Sequence, residues 1–264
     1  MSDSVKITVV TVVFNAEDQI IPTIESIISQ DFNDYEYIVI DGGSKDRTVE
    51  LIAGYKTKIS KFISEPDKGI YDAMNKGIKL ASGEWIYFLN AGDVFYRNDT
   101  LSELFKTKFQ VASAIVYGAN EADYGYFKRI NNPLSIDQLK KGMIFSHQAM
   151  IVKTYLMKSR LFDTRFEMSA DYDSIYHLYQ SGYKFEQVNI CFASLTAEGA
   201  SEKNILKTHS ERRKIAVSYE KGWQKVLLNL KYHLKSVKLI VIKLTKLVLP
   251  KSWVRKLTIK KYRR

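Results

Sequence analysis

YEYIVIDGGSKDRTVELIAGY, residues 35–55, is the stretch that decides the fold. Tyr35–Ile40 is a near-continuous apolar, β-branched run, as expected of a strand covered on both faces. Asp41-Gly42-Gly43 closes it, and Ser44 can cap a helix running through Tyr55, with Asp46 near its positive end. The same strand–turn–helix grammar extends to both sides. Val5–Phe14 reads as a buried strand, and Ala16–Gln30 carries Ile20, Ile24, Ile27 and Ile28 at helical spacing. Lys61–Ser64 is a short third strand, and Tyr71–Ala81 is a helix ended by Ser82-Gly83. Glu84–Leu89 is a fourth strand, stopped by Asn90-Ala91-Gly92-Asp93. Strands alternating with helices predict an α/β chain, with a Rossmann-like sheet covered by helices on both faces.

In open sheets of this kind ligands bind beyond the carboxyl ends of the strands. Acidic turns fall at those ends: Asp41 after the second strand, Asp67 and Asp72 after the third, Asp93 after the fourth. Any one of them could simply be making a turn. Together they mark one edge of the sheet. No GxGxxG follows the first strand and no GxxxxGK[ST] occurs, which argues against a dinucleotide site or a P-loop.

Composition bounds the rest. The chain has 264 residues, 45% hydrophobic, with four prolines, and so is globular rather than disordered. Its one cysteine, Cys191, excludes a disulfide framework and fits a reducing cytoplasm. No apolar run reaches the ~18 residues that span a bilayer. The run Ile7–Phe14 leads straight into Asn15, Glu17 and Asp18, unlike a signal peptide. The net charge of +11 is unevenly placed: Lys221–Arg264 holds 14 Lys and Arg and no acid, leaving a net −3 on the first 220 residues. A mildly acidic body, residues 1–220, therefore precedes a basic tail, residues 221–264.

TVVFNAE (Thr11–Glu17), VIDGGSKDRT (Val39–Thr48), EPDKGIYDAMNKGI (Glu65–Ile78), ASGEWIYFLNAGD (Ala81–Asp93) and SADYD (Ser169–Asp173) carry a resemblance. In this order and spacing they resemble the family-two, inverting glycosyltransferases with the GT-A fold, of the bacterial surface-polysaccharide type, across about residues 5–200. The resemblance implies a nucleotide-sugar half over about residues 1–95 and an acceptor half over about 96–220. It implies that Asp41 accepts from the uracil N3–H of a UDP-sugar and that Phe14, ahead of Asn15, packs on the base, with Glu17 also on the nucleotide side. The stretch Asp67-Lys68-Gly69 and Asp72 should line the nucleotide and its phosphates. Relatives often carry Arg at the position of Met74, so phosphate neutralisation here falls to Lys68.

The family's Asp-x-Asp metal motif is reduced to Asn90-Ala91-Gly92-Asp93. Asp93 is then the metal ligand for Mn²⁺ or Mg²⁺, with Asn90 offering a neutral oxygen or orienting the sugar. On the acceptor side the resemblance implies that Asp171 is the general base, with Ala170 in place of the usual acid. Asp173, two residues on, points elsewhere. His147, in Ser146-His147-Gln148, is an acceptor or phosphate candidate, His209 a weaker one, and Glu198–Ser201 resembles a flexible loop over the donor.

In the tail, steps of 100° put Lys221, Lys225, Lys235, Lys238 and Lys246 on one side. Leu230, Leu234, Val237, Ile240, Val241, Leu244, Leu247 and Val248 lie on the other, although Leu228, Leu239 and Ile242 intrude on the lysine side. This amphipathic pattern suits a helix lying in an anionic membrane interface; the alternative is a helix packed on the body. Nothing in the tail resembles a nucleic-acid-binding module, and the body is acidic. The expected activity is transfer of a sugar to a hydroxyl of a lipid-linked saccharide, by an enzyme attached peripherally to the cytoplasmic face of the membrane. The alternatives are a sugar-1-phosphate nucleotidyltransferase, for which Asn15-Ala16-Glu17 is a poor loop, and a non-catalytic membrane-recruited binding module.

Overall fold

The computed structural model describes residues 5–197, 199, 203–250, 253 and 259. Four parallel strands form its first half: β1 (Ile7–Val13), β2 (Tyr35–Asp41), β3 (Lys61–Ser64) and β4 (Trp85–Phe88). Their crossovers are α1 (Ile20–Ile28), α2 (Thr48–Ala53) and α3 (Ile70–Leu80). Beyond β4 come β5 (Val94–Phe95), α4 (Thr100–Lys106), β6 (Ser113–Asp123) and β7 (Lys128–Asn131). Then follow β8 (Met150–Lys153), α5 (Thr154–Ser159), α6 (Ala170–Gln180), β9 (Lys184–Thr196), α7 (Ile205–Ser218) and α8 (Gly222–Val248). The strands make one mixed sheet in the order β3-β2-β1-β4-β8-β6-β9-β5, with β7 paired to β6. β8 is antiparallel to both β4 and β6, so it joins the parallel half to the second half.

The alternation of side chains along each strand divides the core in two. Val10, Val12, Ile38, Ile40, Ile86 and Phe88 face α3, α5, α6, α7 and the start of α8. Val9, Tyr37, Val39, Trp85 and Tyr87 face α1, α2 and α4. Helices on both faces and a mixed sheet are the architecture expected from the sequence. Met74 sits in the first of these clusters, fully enclosed among apolar side chains.

One buried polar tie braces the parallel strands of the first half, and another joins that half to the second. Glu36 is buried and accepts hydrogen bonds from Thr8 (2.6 Å), Lys61 (3.2 Å) and the Ser82 N–H. Burial pushes its pKa up, but these donors overcome that and hold it below the ordinary value. Asn75 on α3 clamps Phe162 in both directions: its side chain donates to the Phe162 carbonyl (2.9 Å) and accepts from the Phe162 N–H (2.8 Å).

One helix departs from expectation. α2 starts at Thr48 rather than behind Ser44, because the Ser44 hydroxyl donates to Asp41 instead of capping. α8 is packed on the body along part of its length. Leu228 and Tyr232 are buried, and the Tyr232 hydroxyl donates to the Lys140 carbonyl, so the first half of the helix is docked on the body. Leu230, Leu234, Val237, Ile240, Val241 and Leu244 stay exposed. No helix among the described residues is long and apolar enough to cross a membrane. Of the tail beyond Pro250, only Trp253 and Ile259 are among the described residues.

The turn between α3 and β4 sets how closely the chain can approach β1. A Cβ added at Gly83 would lie 2.5 Å from the Thr8 backbone nitrogen, where nothing can yield. Gly83→Ala should therefore destabilise the fold by about 1–3 kcal/mol, read as a lower denaturation midpoint. An unchanged midpoint would show that this approach is not constrained.

Candidate active site

The carboxyl ends of β1, β2 and β4 meet in one cleft. At the end of β2, Asp41 is 0% exposed. Its Oδ1 accepts from the Ser44 hydroxyl, and its Oδ2 from the Gly43 N–H (3.1 Å), the Ser44 N–H (3.1 Å) and the Ser64 hydroxyl (2.6 Å). Its own turn and the end of β3 thus supply donors to both carboxylate oxygens.

Asn15 and Glu17 are also occupied. Asn15 adopts φ 46°, a left-handed conformation that asparagine tolerates, and its Oδ1 accepts from the Lys45 N–H (2.8 Å). Glu17 accepts from the Arg47 N–H (2.9 Å). Both brace the loop after β1 against the loop after β2, and neither side chain makes a contact that points to a ligand. Phe14, by contrast, is 60% exposed at the cleft edge. Asp72, in the first turn of α3, accepts from the Lys68 N–H (3.0 Å) and so ties the loop before the helix back onto it; the Lys68 side chain is exposed.

Asp93 lies deeper. Gly92, at φ 94°, turns the chain after β4 so that the carboxylate points inward, where Gln148 donates to its Oδ2 (2.8 Å). Burial raises its pKa from 3.8 to about 6, against the opposing effects of the Gln148 hydrogen bond and the nearby His147. Asn90 Oδ1 is buried with no partner. A carboxylate that lacks a counter-charge beside an amide oxygen that lacks a donor is a donor set for a hard divalent cation. It is a sparse one, since the described residues contain no group of three His, Cys, Asp or Glu able to hold a metal. Most of the coordination shell must then come from ligand oxygens and water.

Asp171 reaches the same place from the other half, near the start of α6. Its Oδ1 accepts from the Tyr71 hydroxyl (2.9 Å) and the Tyr172 N–H (2.7 Å), and its Oδ2 lies 3.5 Å from His147 Nδ1. Burial would raise its pKa, but His147, the charge of Arg212 and the Tyr172 N–H together hold it below the ordinary value. It is therefore ionised at neutral pH. His147 Nε2 is 3.2 Å from Asn90 Nδ2, so His147 bridges Asp171 to the Asn90–Asp93 turn, with Gln148 beside it on Asp93.

Two candidates fall outside the cleft. Asp173, two positions on along the helix, is turned away and paired with Arg160 at 2.6 Å. His209 is buried, with Nε2 2.9 Å from the Tyr232 carbonyl and its ring against Tyr232, a role in docking α8. The stretch Glu198–Ser201, apart from Gly199, lies outside the described residues. The Cys191 thiol, with its pKa pushed by burial to about 11, is no nucleophile. Sequence reasoning missed Tyr71 and Gln148. Tyr71 gives no local signal, being 100 residues from its partner, whereas Gln148 adjoins a residue already singled out.

The burial of Asp93 carries a sign that can be checked. A folded-state pKa above the unfolded value means stability that is full below pH 4 and lost as pH rises through about 6. Asp93→Asn keeps an acceptor for Gln148 and removes the buried charge. It should raise stability at pH 8 by on the order of 1–3 kcal/mol and change little at pH 4. Denaturation at the two pH values measures this; an equal shift at both would contradict it.

Comparisons with known proteins bear on the fold and the family. The body has the GT-A architecture of Staphylococcus aureus TarS residues 1–349 in complex with UDP, with a TM-score of 0.67 and 16% identity over 86% of this chain and 70% of that one. A mannosyltransferase from Pyrobaculum calidifontis, in complex with GDP-Man and Mn²⁺, gives a TM-score of 0.65 and 15% identity over 97% and 84%. Among curated relatives, an uncharacterized glycosyltransferase of Mycobacterium tuberculosis is 38% identical over 104 residues, 39% of this chain and 40% of that protein. The PGL/p-HBAD biosynthesis glycosyltransferase of Mycobacterium bovis is 31% identical over 156 residues, 57% and 60% of the two chains. The matches thus span about two fifths to three fifths of these relatives. The sequence model of Glycosyl transferase family 2 matches residues 8–168, more than half of the chain, and the chain belongs to that family.

Proposed function

We propose that the protein is an inverting glycosyltransferase that moves a sugar from a UDP-sugar to a hydroxyl of a lipid-linked saccharide in surface-polysaccharide biosynthesis. The observation that carries this reading is the convergence of two carboxylates with opposite titration behaviour, Asp93 behind β4 and Asp171 on α6, joined through His147-Gln148. Solved structures of similar fold hold UDP, UDP-GlcNAc or GDP-Man, which supports a nucleotide sugar as donor.

Asp93, with Asn90 Oδ1, would hold a divalent cation, Mn²⁺ or Mg²⁺, which supplies charge neutralisation to the departing diphosphate. Lys68 contributes a further cation at the mouth of the cleft. Asp171 is placed to accept the proton of the acceptor hydroxyl as that oxygen attacks the anomeric carbon from the side opposite UDP. Tyr71 and the Tyr172 N–H fix one carboxylate oxygen, leaving the other facing His147 and the cleft. Asp171→Asn should leave UDP affinity within about twofold and lower turnover by ~10²-fold or more. Activity near wild type in that variant would reject Asp171 as the base.

The partner at α8 is proposed to be an anionic membrane surface on the cytoplasmic side. Its support is the exposed row from Leu230 to Leu244, set beside a tail with no acidic residue. Leu228 and Tyr232 belong to the core, so removing the whole helix would confound the test. Replacing Leu234, Val237 and Val241 together with Ser should instead reduce sedimentation with vesicles containing phosphatidylglycerol by about tenfold or more, since each buried apolar side chain contributes on the order of 1–2 kcal/mol. UDP binding should be unchanged. Undiminished vesicle binding would remove the helix face from the argument.

A further inference from the structure

α7 does more than dock α8. Its buried Glu211 accepts from the Glu167 and Met168 N–H groups (3.2 and 2.9 Å), which sets the loop ahead of α6. The next residue, Arg212, is half-buried over Tyr172, with its guanidinium carbon 6.0 Å from the ring centroid. Its Nε is buried with no acceptor, and no carboxylate among the described residues pairs with it. A half-buried guanidinium is costly to leave unpaired, so an anion from outside the chain would be favoured here. On α8, Lys235 Nζ reaches only the Lys141 carbonyl, at 3.5 Å, and has no acid partner among the described residues either. The frame around the two cations is well tied. Tyr172 donates to the Leu139 carbonyl (2.8 Å), Tyr232 to the Lys140 carbonyl (3.2 Å), and His209 to the Tyr232 carbonyl (2.9 Å). The charge of Arg212 is felt on both sides: with partial burial it lowers the Lys235 pKa, and it helps to keep Asp171 ionised.

We propose that Arg212 and Lys235 form a phosphate-binding site that takes the phosphate or diphosphate linking the acceptor saccharide to its lipid. Arginine offers a planar fork of donors to phosphate oxygens and lysine a point charge, and neither is spent on an acid here. The place suits this use. Tyr172, under the guanidinium, adjoins Asp171, so the saccharide extends from the site toward the base. Lys235 adjoins Leu234 and stands two residues from Val237, both exposed on α8, so the hydrocarbon leaves along that face. The site would let the chain tell a lipid-linked saccharide from a free one. It rests on the acceptor reading given above, and the following test separates it from the donor reading.

Calorimetry of the full chain with farnesyl diphosphate, at saturating UDP and Mn²⁺ so that the donor cleft is filled, provides that test. Arg212→Gln and Lys235→Gln should each weaken farnesyl diphosphate by ~10-fold, as expected for one charged hydrogen bond, and Arg212→Lys by less. Affinity for UDP should stay within about twofold throughout. Binding of farnesol, which lacks the anion, should be indifferent to both Gln variants, and sedimentation of Arg212→Gln with phosphatidylglycerol vesicles should match wild type. Lys235 is exposed, so its variant keeps the test valid if Arg212→Gln folds poorly. Wild-type affinity for farnesyl diphosphate in both Gln variants would overturn the site. Weaker UDP binding in Arg212→Gln would give the guanidinium to the donor, and weaker vesicle binding alone would give it to bulk lipid headgroups; either result overturns the assignment. A wild type that binds UDP but no farnesyl diphosphate would overturn the site and leave the donor reading standing. A wild type that binds neither would overturn both.

Discussion

A carboxylate with no exposed surface must find donors, and the way Asp41 finds them organises the whole carboxyl edge of the sheet. Ser64 ties the end of β3 to it, Gly43 and Ser44 wrap the turn around it, and the Ser44 hydroxyl in turn accepts from the Asn15 N–H (2.8 Å). Asn15 and Glu17 then fasten the next loop by accepting from Lys45 and Arg47. The loops at this edge of the sheet thus hang from one buried carboxylate. An acid at this position is required by the architecture, whatever the ligand.

The same economy explains what could be read in advance. The parallel strands announce themselves as apolar runs, and the helices of the first half as Ile and Leu at helical spacing, because both patterns reflect burial. The second half was harder. β9 alternates poorly and is partly exposed along its length, and β8 is only four residues long, so neither carries a strong periodic signal. The start of α2 differs from expectation because Ser44 has two possible uses, and here its hydroxyl serves the buried Asp41 carboxylate rather than a helix cap. The resemblance singles out Asp171 and Asp93, but Tyr71 and Gln148, which hydrogen-bond to them, are joined to them only by tertiary folding. Asp173 shows the opposite case: an acid two residues from Asp171, facing Arg160 for purely geometric reasons.

The cleft treats its two carboxylates differently. Asp93 has a single amide donor and is pushed upward by burial, so it stays short of positive charge. Asp171 has a phenol, a backbone N–H, a histidine and a distant arginine, and is held ionised. Two groups of one chemical type thereby titrate in opposite directions, the difference on which the proposed division between a cation ligand and a proton acceptor rests.

The order of the strands has one more consequence. A nine-stranded sheet ends in β3, four residues bearing Lys61, and in β5, only two residues long. β5 meets only Ala193 and Ser194, so the outer side of β9 from Lys184 to Cys191 has no strand beside it among the described residues. Three register shifts against β6 break the regularity of β9 there, while β3 is blunted by its shortness and by Lys61. A sheet this broad would otherwise invite strand addition from a second chain and growth into fibrils. An irregular border at one end and a short charged one at the other give crowded copies of the protein little template along which to polymerise.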